Sequence, residues 1–139
     1  MTFLNKHLLT FLLIIPIIGA CSKNSQNQEM LDLVNSKEHD SQLFGWWQRA
    51  DENTQYIFFD DSSFKMELYS TESGLLTQYS KETYWYTENG VLYSFKKATE
   101  LTGIIRSEEK YELSDDGNSL TLMESDTDYV PTYNRVSHP

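Results

Sequence analysis

From residue 43 to residue 137 the chain alternates apolar and polar residues in short runs, and this two-residue period is what most limits its fold. Phe64, Met66 and Leu68, for example, alternate with Lys65 and Glu67. Successive side chains of a strand point to opposite faces, so each run has one apolar and one polar face. Bounded by turn residues, the runs predict strands at 45–49, 55–59, 64–69, 75–79, 82–87, 91–97, 101–106, 109–113, 120–124 and 133–136.

The segments between these predicted strands are short and rich in turn-forming residues. Asn89-Gly90 tolerates positive φ and favours a tight hairpin, and residues 60–63, 72–74 and 115–118 have similar turn chemistry. Consecutive hairpins produce a meander, and a meander of about eight strands protects its edges by closing on itself. We therefore expect an all-β domain at residues 43–137, a small antiparallel up-and-down barrel of 8–10 short strands rather than a sandwich.

The N-terminal segment has the organisation of an export signal. Lys6 precedes an apolar run at residues 8–18, which is shorter than the ~20 apolar residues that a transmembrane helix needs. We predict a signal peptide at residues 1–20 and a polar tether at residues 21–42. If flexible, ~20 residues of tether reach ~25 Å. Met30, Leu31 and Val34 have helical spacing, which predicts one short helical turn within the tether.

Ile18-Gly19-Ala20-Cys21 resembles the lipobox of bacterial lipoproteins, in which an aliphatic residue and two small residues precede a cysteine. The resemblance implies that Cys21 receives a diacylglyceryl group, that cleavage occurs before it, and that fatty acyl chains such as palmitate then hold the mature protein on a membrane. The expected location is the bacterial cell envelope, with the outer membrane favoured over the inner. The alternative is an ordinary secretory signal that ends beside a chance cysteine.

Composition excludes several classes of function. The formal charge of the whole chain is -10, and its basic residues are scattered, which disfavours nucleic acid as a partner. Cys21 is the only cysteine, and the three histidines (His7, His39, His138) lie in the signal, the tether and the tail, so we expect no metal site and no cofactor. With no Gly-x-Ser-x-Gly motif and no phosphate-binding glycine loop, the sequence predicts a protein that is not an enzyme.

Gly45-x-Trp47 at the start of the domain, and Tyr133-x-Arg135 at its end, are similar to the lipocalin-like domains of small bacterial lipoproteins. The strand-turn rhythm between them and the pattern of residues 111–122 strengthen the resemblance. It implies that Trp47 plugs one end of the barrel and that Arg135 packs across it, an arrangement that contributes ~0.5–2 kcal/mol. Ordinary core packing of the tryptophan is the alternative.

The middle strands are unusually aromatic, and their aromatic residues occupy both faces of the alternation. Tyr84, Tyr86, Tyr93 and Phe95 are the candidate ligand-binding residues. Pointing inward, such side chains would line a small apolar pocket; pointing outward, they would form a surface for a protein or a glycan. The sequence thus predicts a membrane-anchored lipoprotein with a non-catalytic binding domain for a small apolar ligand. The alternative is a structural or protein-inhibitor lipoprotein that acts on an envelope protein through a surface patch.

Overall fold

The computed structural model describes residues 18–79, 83–124 and 128–139. One helix, α1 (Ile18–Ser36), and a 3-10 turn (Ser41–Leu43) precede the strands. The strands are β1 (Gly45–Arg49), β2 (Gln55–Phe59), β3 (Lys65–Glu72), β4 (Leu75–Gln78), β5 (Thr83–Glu88), β6 (Val91–Lys96), β7 (Ile105–Leu113), β8 (Ser119–Glu124) and β9 (Thr132–Val136). The predicted signal peptide lies outside the described residues except for its last three.

The strands form an antiparallel barrel that closes on itself. The pairing order is β2-β1-β9-β8-β7-β6-β5-β3-β4, and an additional pairing of β2 with β3 completes the ring. Eight strands make up the barrel wall, and β4 is an extra strand on the edge of β3. The predicted all-β, lipocalin-like barrel is therefore confirmed. The predicted strands 101–106 and 109–113 form one continuous strand, β7, as the count of 8–10 allowed, but this strand begins only at Ile105 rather than at residue 101.

β4 and β5 lie along successive parts of the same edge of β3. Tyr69 of β3 lies opposite Gln78, whereas Met66 lies opposite Thr83. Three residues along β3, from Tyr69 to Met66, thus correspond to five residues along the partner chain, from Gln78 to Thr83. The partner chain therefore has two extra residues between β4 and β5. β4 therefore pairs with β3 alone and lies outside the closed ring of eight strands.

The up-and-down topology gives the barrel two different ends. At one end, which we call the plug end, lie the start of β1 and the turns β2–β3, β5–β6 and β7–β8. At the other, which we call the loop end, lie the connections β1–β2, β3–β4, β6–β7 and β8–β9. The β5–β6 turn is the predicted tight hairpin, since Asn89 and Gly90 both have positive φ, 53° and 75°.

The barrel interior is filled from the plug end by a cluster of buried side chains. Trp47, Phe59, Trp85 and Leu120 are completely buried within it. The strand registers place these residues on one shared face, since Trp47 lies opposite Ile57 and Leu120 lies opposite Tyr133. A packed interior of this kind leaves no room for a ligand at that depth.

Helix α1 is much longer than the single turn that the sequence predicted. It has 19 residues and packs along the outside of β5 and β6 rather than forming a free tether. Among helix residues 22–36, Met30 and Val34, one turn apart, are the buried apolar side chains, and Leu31 packs partly buried against the same cluster, so the stripe of contact is narrow. A weakly amphipathic helix takes its stability mainly from tertiary packing, which sequence periodicity cannot reveal.

Replacement of Val34 tests whether this contact holds α1 in place. Val34 is 1% exposed, whereas its neighbour Leu33 is 39% exposed. We expect Val34→Ser to lose about 2 kcal/mol of docking free energy because a buried valine contributes that much. The measurement is amide hydrogen exchange in residues 26–36, with Leu33→Ser as the matched control. Equal exchange in the two variants would contradict this packing.

Candidate functional site

Trp47 and Arg135 meet at the plug end, as the resemblance implies. Trp47 is fully buried, and its indole Nε1 donates a 2.7 Å hydrogen bond to the carbonyl oxygen of Leu43. The guanidinium carbon of Arg135 lies 4.2 Å from the centroid of the Trp47 ring. The two residues are also direct partners in the pairing of β1 with β9. The indole thus fills this end of the barrel with a cation over its face.

Arg135 also joins two separate segments of backbone through three carbonyl groups. Its Nε donates to the carbonyl of Gly117 at 3.0 Å, its Nη1 to the carbonyl of Phe44 at 2.9 Å, and its Nη2 to the carbonyl of Gln42. Gly45 has a φ of 107°, which side-chain-bearing residues rarely adopt, so the glycine of the Gly-x-Trp pattern has a conformational reason. The Trp47–Arg135 pair is therefore a structural closure whose polar groups are already satisfied.

The four candidate ligand-binding aromatic residues do not line the barrel interior. Tyr84, Tyr86 and Phe95 are buried on the outer wall beneath Met30 and Val34 of α1, and Tyr93 packs against the same cluster. Their neighbour Trp85 has the opposite orientation and lies inside. The prediction of an apolar pocket lined by these side chains is thus corrected: α1 covers them, because their apolar outer face needs a partner.

A polar groove of about 390 Å³ lies at the plug end between residues 38–41 and the β5–β6 turn. Its polar atoms bond to one another: Tyr111 donates a 2.9 Å hydrogen bond to Asp40 Oδ2, and the backbone amide of Asp40 donates to the hydroxyl of Thr87. Burial, together with the bond to Asp40, raises the pKa of Tyr111 to about 12. These bonds fasten the segment after α1 to the barrel.

In the half of the barrel nearer the loop end, polar side chains point into the interior. Strand partners share a face, so the registers place several polar residues on the face of the buried core. They are the pairs Arg49 with Tyr133 and Gln55 with Ser70, together with Thr83, Ser94 and Glu109. Thr83 and Ser94 are buried. The barrel interior therefore changes from apolar near Trp47 to polar near the loops.

Four residues form what we call the loop-end cluster: Arg49, Tyr79, Tyr129 and Tyr133. The guanidinium carbon of Arg49 lies 5.2 Å from the centroid of the Tyr129 ring. Arg49 and Tyr79 both interact electrostatically with the Tyr133 hydroxyl, and burial raises the pKa of Tyr133 to about 12. Burial also raises the pKa of Tyr79, while the charge of Arg49 acts in the opposite direction.

Arg49 is held in position by residues of the β1–β2 connection. Its Nε lies 2.6 Å from Asp51 Oδ1, and its Nη1 donates a 3.0 Å hydrogen bond to Gln55 Oε1. The bond to Asp51 raises the pKa of Arg49, so the guanidinium stays charged. Aromatic rings around a fixed cation can hold a molecule that has both apolar and polar parts. The sequence analysis missed this cluster. The available signal was that Arg49 lies two residues after Trp47 in β1, so both side chains point to the same face of the strand.

Helix α1 runs from the loop end to the plug end. In its first half, Lys23 Nζ donates a 2.9 Å hydrogen bond to the carbonyl of Glu100, and at its middle Asn27 exchanges two hydrogen bonds with the backbone of Ala98. Just beyond its end, Lys37 forms a 2.8 Å ion pair with Glu88. Cys21 belongs to the first turns of this helix. In the described part of the chain, no helix combines the length and apolar character needed to cross a membrane.

Among the described residues, no group of three or more His, Cys, Asp or Glu side chains is placed to hold a metal ion. Comparison with known proteins gives no match: no family model, no curated protein and no solved structure matches the chain.

Proposed function

We propose that this protein is a lipid-anchored lipoprotein of the bacterial cell envelope, in the outer rather than the inner membrane, whose barrel is a non-catalytic binding module. The loop-end cluster is the observation that supports binding: Arg49 lies over the ring of Tyr129, is the strand partner of Tyr133, and interacts electrostatically with Tyr79. The lipobox-like segment that ends at Cys21 supports anchoring.

The ligand of such a module is small and partly apolar. The plug end is closed by Trp47 and Arg135, and the interior beside it is packed, so a ligand occupies the loop end. There the rings of Tyr79 and Tyr129 pack against its apolar part, while Arg49, Gln55 and Tyr133 receive its polar part. Because both rings are about half exposed, they are accessible from solution.

Native mass spectrometry of the purified full chain tests the binding module. A co-purified small molecule is expected on the unaltered protein and on Tyr69→Phe, whose hydroxyl bonds Glu67 on the outer wall. Arg49→Gln and Tyr133→Phe should lose it, because each removes a polar group from the loop-end cluster. A ligand retained by both variants would contradict this site.

Replacement of Cys21 tests the anchor. In Cys21→Ala we expect an unacylated, unprocessed chain and loss of the mature protein from the membrane fraction, because the thiol is the proposed site of lipid attachment. The mass of the N-terminal peptide and membrane fractionation measure this, with Ser25→Ala as the control in the same helix. Unchanged acylation and partition of Cys21→Ala would refute the anchor.

A second candidate function is a structural or inhibitory lipoprotein that acts on an envelope protein. The observation that favours it is a partly exposed aromatic cluster on the outer wall of β1–β3, where Trp46 lies 4.7 Å from Phe58 and 4.9 Å from Tyr69 between ring centroids. If no small molecule co-purifies and cross-links from this wall reach a protein, the second function replaces the first.

A further inference from the structure

Exposed apolar side chains concentrate at the loop end of the barrel. Among the described residues, seven large apolar or aromatic side chains are exposed, and all but Leu33 belong to this end: Leu75, Tyr79, Leu101, Ile105, Tyr129 and Val130. Leu101 is 96% exposed and Leu75 is 71% exposed. They lie in or beside four separate connections of the chain, β3–β4, β4–β5, β6–β7 and β8–β9, so the fold itself brings them to this end. Apolar exposure concentrated at one end of a fold is typical of a contact surface.

The start of α1 lies at the same end. Lys23 bonds the carbonyl of Glu100, the residue immediately before Leu101. Two helical residues span ~3 Å along the axis, so the backbone of Cys21 lies within about that axial distance of Lys23. A lipid attached at Cys21 therefore begins beside the exposed apolar residues, with no free tether between the lipid and the barrel.

The plug end and the loop end also differ in their charged residues. The three turns of the plug end contain Asp60, Asp61, Asp115 and Asp116 and have no basic residue. At the loop end, Lys96 ends β6 and Lys97 begins the β6–β7 connection, and the acidic residues Asp51, Glu52 and Glu100 lie in connections of the same end. An anionic surface repels the turns of the plug end, whereas acidic and basic residues are mixed at the loop end.

We propose that the loop end rests directly on a phospholipid bilayer, with Leu75, Leu101 and Val130 in the membrane interface and the plug end pointing away. This inference rests on the proposed acylation of Cys21. The sequence predicted a flexible tether that would hold the barrel away from the membrane. On this proposal the barrel instead docks directly on the lipid surface. Docking also puts the loop-end cluster at the bilayer, so that a ligand enters from the membrane side.

The test uses the acylated full chain on vesicles of phosphatidylethanolamine and phosphatidylglycerol that contain a nitroxide-labelled lipid. Acylation consumes the only native thiol, so one introduced cysteine can carry a fluorophore. Leu101→Cys and Val130→Cys probe the loop end, and Asp115→Cys, also exposed, is the matched control at the plug end.

We expect the lipid nitroxide to quench most of the fluorescence at positions 101 and 130 and little at position 115. Equal, weak quenching at all three positions in vesicle-bound, acylated protein would overturn the docking and leave the anchor intact. A chain that mass spectrometry finds unacylated at position 21 would overturn the anchor and the docking together.

Discussion

Trp47→Ala is expected to destabilise the barrel by about 4 kcal/mol, near the upper range for a buried aromatic residue replaced by alanine. Trp47 is fully buried, so its removal leaves a void between Leu43, Ile57 and Phe59. It also leaves the Leu43 carbonyl without its 2.7 Å hydrogen bond from the indole. A domain of this size is stable by only ~5–15 kcal/mol, so the loss is a large fraction of the total.

The adjacent residue is a matched control for this prediction. Trp46 faces outward, is only partly buried, and contacts Phe58, Tyr69 and His138 at the surface. Trp46→Ala should cost about 1 kcal/mol, the scale of an aromatic pair. Urea unfolding of the two variants measures the difference. Equal losses would show that Trp47 does not close the barrel in the way that its contacts indicate.

Arg135→Met is expected to cost about 3 kcal/mol, because it leaves three backbone carbonyls without their charged donor and removes the cation from the Trp47 ring. The methionine keeps much of the apolar length of the side chain. Chemical denaturation measures the loss. Since Arg135 and Trp47 touch, the double variant should lose less than the two single variants together.

Arg106→Met controls for the loss of a cation above an aromatic ring. The guanidinium carbon of Arg106 lies 5.2 Å from the centroid of the Tyr93 ring, and the side chain pairs with Glu108 at 2.6 Å, but among the described residues it bonds no backbone carbonyl. Exposed pairs contribute ~0–1 kcal/mol, so this variant should stay within that range. If Arg106→Met costs as much as Arg135→Met, the carbonyl contacts of Arg135 do not explain its role.

The barrel was predictable because its determinants are local. Period-two alternation identifies the strands, and Asn89-Gly90 specifies a hairpin by its tolerance of positive φ. The meeting of Trp47 with Arg135 followed from a resemblance, since sequence spacing alone does not tell which strand closes a barrel. Their direct pairing depends on the register of β1 with β9, across most of the chain.

The loop-end cluster was not predictable in the same way. Arg49, Tyr79, Tyr129 and Tyr133 belong to distant parts of the sequence and meet only after the barrel closes. For a related reason, the sequence could not tell whether Tyr84, Tyr86 and Phe95 point inward or outward. Both faces of β5 are apolar, because one packs against the barrel interior and the other packs against α1. Alternation assigns a face only where one side of the strand meets water.

By itself, the sequence determined that the domain is an antiparallel barrel, because strand period and turn chemistry are properties of neighbouring residues. It also supplied Cys21 as the proposed site of lipid attachment. Tertiary structure alone decided that residues 18–36 form a helix docked on the wall, because Met30 and Val34 are stabilised only by contact with distant aromatic side chains. The same contact sets the end of the barrel at which Cys21 lies.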